Sequence, residues 1–118
     1  MEKRGAGAIT QAAHAGNLLK IRVTRSEGGT LVCLDGRLTI DSSPALRDRL
    51  LAILQGETLQ NLTVDLSAVP YMDLSGVATL LEVLRAARAR TTALELTGLH
   101  DRPRYLLEVT GLLSLFET

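Results

Sequence analysis

Apolar and polar residues alternate in several short segments of the chain. Residues 19–24 alternate strictly, which predicts a half-buried strand, and residues 31–34 form an unbroken apolar run typical of a more buried one. The turn signal Glu-Gly-Gly at 27–29 lies between them, so we expect the two segments to pair as an antiparallel hairpin. Alternation returns at 62–66 and at 94–96, which predicts two further strands.

Other segments carry apolar residues at helical spacing. One helix is predicted over 44–56, because N-cap residues precede its first-turn proline and a glycine ends it. A second helix carries the apolar stripe of 77–84. A third is expected to begin with Asp101 as its cap, and residues 112–116 are expected to return to the core.

The order of these elements is hairpin, helix, strand, helix, strand, helix. Strand–helix–strand units join parallel strands by right-handed crossovers, whereas a hairpin is antiparallel. We therefore predict an α/β fold, in which a small mixed, mostly parallel sheet is packed with helices in one domain over 18–118. Residues 1–17 are rich in Ala and Gly and lack a hydrophobic period, so we expect a flexible N-terminal tail.

Composition narrows the functional classes. A chain of 118 residues predicts a single domain. Aromatic residues make up 3% and Lys+Arg equals Asp+Glu at 13 each, so neither base stacking nor a basic footprint supports nucleic-acid binding. The single Cys33 cannot form an internal disulfide. No apolar run is long enough for a membrane span and no secretory signal is apparent, so we expect a cytoplasmic protein.

The most informative segment is 62–76, which predicts a strand, a short loop and the start of a helix. That start carries Asp73, Ser75 and Gly76. The first turn of a helix exposes unpaired N–H groups and the positive end of the dipole, which stabilise an anion. On these residues alone, an N-cap at Asp73 is the favoured interpretation.

Signals for catalysis are weak. No Gly-rich phosphate loop is present, and the only histidines are His14 and His100. A Ser–His–Asp arrangement would require His100 to reach Ser75 across the fold. Asp65 and Asp73 lack the further ligands that a metal site needs. We therefore expect no catalytic residues, no cofactor and no metal.

Three motifs in order resemble the STAS family, which is named for sulphate transporters and anti-sigma-factor antagonists. Residues 72–76 (Met-Asp-Leu-Ser-Gly) resemble the antagonists' apolar-Asp-Ser-Ser-Gly signature, and they follow the Asp-Leu-Ser of 65–67. Residues 36–38 resemble the family's Gly-x-Leu, and residues 110–112 its late Thr-Gly-Leu. The resemblance extends from about residue 18 to the end and implies the STAS fold.

The resemblance also implies a function. It predicts a non-enzymatic adaptor that binds an anti-sigma factor of the ATP-binding serine-kinase type and so releases a sigma factor. The expected partner-binding residues come from two segments: Gly36, Arg37, Thr39, Asp73, Leu74, Ser75 and Gly76. Leu74 is either an exposed apolar anchor or part of the core stripe. The second alternative arises because Leu74 precedes Val77 by three positions, which is a helical spacing.

The sequence departs from the family at the phosphorylation site. In phosphorylated members the acceptor serine directly follows the Asp, but here that position is Leu74, which has no hydroxyl. Ser75 is the candidate substitute. The family also often carries Asp after Gly-x-Leu, where this chain has Thr39. We therefore expect binding without the usual phospho-switch.

Two other functions stay open. Some STAS proteins are accessory subunits of lipid-transport ABC systems, and these also tolerate a non-serine at the acceptor position. The lower alternative is a small hydrolase or transferase built around Asp65, Asp73 and Ser75.

Overall fold

The computed structural model describes residues 9–15, 18–56 and 58–116. Its elements in chain order are β1 (Ile9–Ala15), β2 (Leu19–Ser26), β3 (Gly29–Leu38), α1 (Ser43–Gly56), β4 (Asn61–Met72), α2 (Leu74–Ala89), β5 (Ala93–Thr97), α3 (Asp101–Val109) and α4 (Leu113–Phe116). Within those residues no helix is both long and apolar enough to span a membrane.

The strands form one mixed sheet in the order β1-β2-β3-β4-β5. The pairs β1–β2 and β2–β3 are antiparallel, and the pairs β3–β4 and β4–β5 are parallel. Both parallel connections run through a helix in the same direction across the sheet, so right-handed crossovers place α1 and α2 on the same face. The predicted mixed α/β fold is confirmed, and two of the three pairs among the four predicted strands are parallel.

The core lies between this face of the sheet and the helices. Every second residue of the first half of β2 is buried, which is the pattern that the alternation predicted. The largest fully buried side chains come from strands and helices alike: Leu19, Leu34, Leu38, Leu46, Leu50, Leu54, Leu62, Leu66, Met72, Leu80, Leu107 and Val23. Complete burial of one such side chain contributes about 1.5–3 kcal/mol, so this core dominates the stability of the domain.

The prediction of a flexible tail over 1–17 is wrong for Ile9–Ala15, which form β1. This strand pairs with β2 along its whole length, from Ile9 opposite Arg25 to Ala15 opposite Leu19. Its sequence holds a single large apolar residue, Ile9, and therefore no hydrophobic period. Backbone pairing to the sheet edge provides its structure instead. The rest of the predicted tail, 1–8 and 16–17, lies outside the described residues.

The parallel pair β3–β4 is irregular near its carboxyl end. Cys33 lies opposite Asp65, yet Arg37 lies opposite Tyr71, so β4 uses two more residues than β3 over this stretch. Extra residues of this kind are β-bulges, which bend a strand and re-aim its side chains. The bulged part of β4 leads directly to the start of α2.

The C-terminal helices follow their predicted course with one correction. The N-cap position of α3 is His100 and carries no side-chain cap, so the expectation that Asp101 caps this helix is wrong. Gly111, with φ 76°, ends the helix, and the following amide of Leu112 donates to the Leu107 carbonyl at 2.9 Å. The chain then returns to the core through Phe116, which is 6% exposed.

Candidate functional site

The carboxyl ends of β3 and β4 meet at one point of the sheet. Leu38 and Met72 are register partners there, and the amide of Asp73 donates to the Leu38 carbonyl at 3.1 Å. The loop that follows β3 and the start of α2 therefore lie side by side, although more than thirty residues separate them in sequence.

The Asp73 carboxylate ties these two segments together. Its Oδ1 accepts hydrogen bonds from the amides of Ser75 at 2.9 Å and Gly76 at 3.3 Å, so the predicted N-cap of α2 is confirmed. Its Oδ2 accepts from the amide of Ile40 at 3.1 Å. We call this carboxylate with its three amide donors the Asp73 clasp.

Two of the predicted contact residues are buried beneath the clasp. Thr39 is 7% exposed, and its amide donates to the hydroxyl of Ser42 at 3.0 Å. A Cβ added at Gly76 would lie 2.6 Å from Cγ of Met72 and 2.8 Å from Cγ of Leu38. Thr39 and Gly76 therefore shape the site from below rather than contributing exposed surface.

The exposed part of the site is apolar. Leu74 is 62% exposed and Ile40 is 67% exposed, so the structure decides the open alternative at Leu74 in favour of the surface. Both residues line a shallow concavity of about 330 Å³. We call its lining the Leu74 patch: Ile40, Asp73, Leu74, Ser75, Arg102 and Leu106. Exposed apolar side chains grouped in this way often mark a binding surface.

Arg102 of this patch and Arg37 both lie over the ring of Tyr71. The guanidinium carbon of Arg37 lies 4.4 Å from the centroid of the Tyr71 ring, and that of Arg102 lies 5.2 Å from it. Arg37 and Tyr71 are register partners on β3 and β4, whereas Arg102 comes from the first turn of α3. Both distances permit a cation–π interaction.

A histidine fixes the start of α3. His100 Nδ1 lies 3.0 Å from Oδ2 of Asp101, and Nε2 lies 2.9 Å from the Ser67 carbonyl oxygen. Both partners are acceptors, so the protonated ring, which donates from both nitrogens, satisfies them together. The Asp101 carboxylate, followed by the Ser67 carbonyl, raises the pKa of His100 above its ordinary value. We call this arrangement the His100 clasp.

A close backbone approach completes the His100 clasp. Gly98 has φ 70°, and a Cβ added there would lie 2.6 Å from the Ser67 amide nitrogen. Only glycine fits this approach without strain. Because α3 begins at this clasp, the clasp also positions Arg102 and Leu106 of the Leu74 patch.

The elements of a catalytic triad are not brought together. The two ring nitrogens of His100 face Ser67 and Asp101, not the hydroxyl of Ser75. The Asp65 carboxylate accepts a hydrogen bond from the amide of Ser67 at 2.9 Å, a contact within its own segment. Across 9–15, 18–56 and 58–116, no three His, Cys, Asp or Glu side chains lie close enough to hold a metal ion.

Sequence reasoning missed several residues of the site. Ile40 follows Thr39 directly, and an isoleucine in a loop was the signal that could have identified it. Arg102 and Leu106 belong to a helix far along the chain, and no local pattern connects them with Leu74. Only the packing of α3 against β4 brings them to the patch.

Comparison with known proteins defines the class to which this fold and site belong. The sequence model of the family described as "Mlab, STAS domain" matches residues 21–117. The chain therefore belongs to the STAS domain family, as its three motifs predicted.

Among individual proteins, the chain is similar to anti-sigma-B factor antagonists. The one from Bacillus subtilis (strain 168) is 25% identical over 99 residues, covering 84% of this chain and 89% of the relative. One from Staphylococcus aureus (strain NCTC 8325 / PS 47) is 31% identical over 97 residues, covering 82% and 89%. The crystal structure of an anti-sigma factor antagonist from Mycobacterium paratuberculosis matches with a TM-score of 0.75 at 22% identity, covering 88% of this chain and 87% of that one. At that identity the structural match supports the fold alone.

Proposed function

We propose that this chain is a non-enzymatic regulatory adaptor that antagonises an anti-sigma factor of the ATP-binding serine-kinase type and so releases a sigma factor. The Leu74 patch carries the proposal, because it presents exposed apolar side chains at the family's signature segment. The similarity to curated anti-sigma-B factor antagonists supports the antagonist role.

The patch is suited to docking because its backbone is already ordered. The Asp73 clasp holds the loop of Ile40 against the first turn of α2 before any partner arrives. Preorganised loops lose little conformational entropy on binding. Burying an exposed Leu or Ile side chain contributes about 1.5–3 kcal/mol, so Leu74 and Ile40 together can anchor a partner.

A binding experiment tests the docking surface. The candidate anti-sigma factor is recovered from native lysate, identified, purified and titrated calorimetrically with wild type and variants. We expect Leu74→Asp to weaken affinity at least about tenfold, because a charge would be buried against the partner. Because Leu74 is largely exposed, the melting temperature of the Leu74→Asp variant should stay close to that of wild type.

Val109→Asp is the matched control. Val109 is 58% exposed and lies on α3, seven residues beyond Arg102 and outside the Leu74 patch. This variant should bind like wild type. Wild-type affinity in a well-folded Leu74→Asp protein would remove the patch from the interface.

We further propose that the antagonist is not switched off by phosphorylation in the usual way. The acceptor position is occupied by Leu74, and the neighbouring Ser75 has its amide held by Asp73. A phosphoryl group adds about −1.5 to −2 charges, enough to block docking of a partner shaped for a neutral surface.

Mass spectrometry after incubation with the partner kinase and ATP tests this second point. Wild type should remain unmodified, and Leu74→Ser should acquire phosphate if the kinase still recognises the surrounding segment. Stoichiometric phosphate on wild-type Ser75 would make Ser75 the regulatory residue and overturn the proposal.

One observation favours a second candidate, an accessory subunit of a lipid-transport ABC system. An exposed leucine at the acceptor position suits a docking role that requires no phosphorylation. The same recovery experiment separates the two functions, because it would yield a transporter ATPase instead of a kinase-like anti-sigma factor.

A further inference from the structure

Arg37 and Arg102 bring two positive charges to one aromatic ring. Their guanidinium carbons lie 4.4 and 5.2 Å from the Tyr71 centroid, so they can be no further apart than the sum of these distances. Two guanidinium groups over one ring concentrate positive charge there, which favours the binding of an anion. We call these two residues the arginine pair.

Within the described part of the chain, no carboxylate forms an ion pair with either arginine. The neighbouring carboxylate of Asp101 faces His100 at 3.0 Å. The Asp73 carboxylate accepts hydrogen bonds from three backbone amides instead. The Tyr71 ring stabilises the two guanidinium groups in part, and an anionic ligand would add the stabilisation of an opposite charge.

We infer that the arginine pair and Tyr71 form a binding site for a carboxylate side chain, an Asp or Glu of the protein that docks on the Leu74 patch. The inference rests on the proposed function and specifies the chemistry of the partner. A guanidinium binds a carboxylate through two parallel N–H···O hydrogen bonds. Stacking on an aromatic ring orients the guanidinium beforehand, so less freedom is lost when the ligand arrives.

The geometry joins this site to the apolar surface. Arg102 stacks on Tyr71 and also lines the Leu74 patch. A partner residue placed against Leu74 and a carboxylate placed on the arginine pair would therefore belong to one contiguous surface. The inference therefore specifies a partner surface on which an apolar side chain lies beside an acidic one.

A protein carboxylate fits this site better than a nucleic-acid phosphate. Phosphate backbones are bound by extended basic surfaces, and this chain has equal numbers of basic and acidic residues. The exposed side chains of Ile40 and Leu74 beside the pair would gain nothing from contact with a phosphate backbone.

The first test needs no partner. The protein is titrated with acetate, at constant ionic strength against chloride, while the Nε–Hε signals of its arginines are followed by NMR. Signals of Arg37 and Arg102 should shift and saturate together. Arg85, exposed on α2, is the matched control and should not shift. Parallel, non-saturating shifts of all three would overturn the inference.

The second test measures affinity for the recovered anti-sigma factor. Arg37→Gln and Arg102→Gln should each weaken binding about tenfold, since each removes hydrogen bonds to a charged group. Both variants should reduce the salt dependence of Kd, and Arg85→Gln should leave affinity and salt dependence unchanged.

The outcomes separate this inference from the proposed function. If Leu74→Asp abolishes binding while both arginine variants bind like wild type, the inference falls and the proposed function stands. If acetate saturates the arginine pair but no anti-sigma factor binds wild type, the carboxylate site stands and the proposed function falls.

Discussion

Two clasps hold the loops around the Leu74 patch, and they differ in chemistry. The Asp73 clasp uses one carboxylate to accept hydrogen bonds from three backbone amides. The His100 clasp uses one imidazole to face two acceptors, a carbonyl and a carboxylate. An aspartate is ionised throughout the neutral range, whereas a histidine titrates within it.

The difference separates a constant part of the site from a pH-sensitive part. The Asp73 clasp orders Ile40 and the start of α2, which carry the apolar half of the patch. The His100 clasp orders the start of α3, which carries Arg102. Near neutral pH, a change in pH should therefore affect the position of Arg102 more than that of Leu74.

The largest effect is expected when the backbone approach at the His100 clasp is blocked. In Gly98→Ala, a left-handed backbone costs the alanine about 1–2 kcal/mol. The contact with the Ser67 amide adds overpacking of about 1–3 kcal/mol. We expect urea denaturation to show a loss of stability above about 2 kcal/mol.

Gly111→Ala is the control for this prediction. Gly111 has a similar φ of 76°, but a Cβ added there would meet nothing within 4 Å. The loss of stability in Gly111→Ala should therefore reflect the backbone conformation alone. Equal losses in the two variants would show that the close approach at Gly98 contributes nothing.

Removing the carboxylate of the Asp73 clasp should have the next largest effect. Loss of an N-cap side chain costs about 0.5–2 kcal/mol, and Asp73→Ala also releases the amide of Ile40. We expect a loss near the upper end of that range in urea denaturation, together with weaker binding of the proposed partner. Asp41→Ala, at an exposed acid in the neighbouring loop, should change neither quantity. Unchanged affinity in a folded Asp73→Ala protein would separate the clasp from docking.

The smallest and most selective effect should come from pH. The folded state raises the pKa of His100, so its stabilisation is fully present below the ordinary value of 6.5 and is lost as pH rises through the raised pKa. The difference in stability between wild type and His100→Gln should therefore be larger at pH 6 than at pH 8. An NMR titration of His100 checks the direction, and a midpoint below 6.5 would contradict it.

Local patterns predicted most of the fold. The strands at 19–24 and 62–66 alternate with period two, and the helix stripe at 77–84 has helical spacing, so each signal lies within one segment. β1 escaped prediction because alanines contribute little hydrophobic signal, although their backbone can pair as well as any other. Its structure depends on the neighbouring β2.

The candidate site could be predicted only in part, because some of its contacts also depend on other segments of the chain. Asp73 and Leu74 lie in a recognisable motif, and the cap at Asp73 needs only its own helix. The hydrogen bond from the Ile40 amide to Asp73 and the contact of Arg102 with the Tyr71 ring join residues that are distant in sequence. Such contacts follow from the packing of whole elements, which no short window of sequence contains.

The bulged stretch of β4 has a consequence for how chains of this kind can vary in length. Its two extra residues bring Tyr71 beside Arg37 and place Asp73 within reach of Ile40. Loss or gain of a single residue there would turn Tyr71 to the opposite face of the sheet and shift the helix start, because side chains alternate along a strand. Insertions and deletions within the second half of β4 are therefore expected to be eliminated by selection.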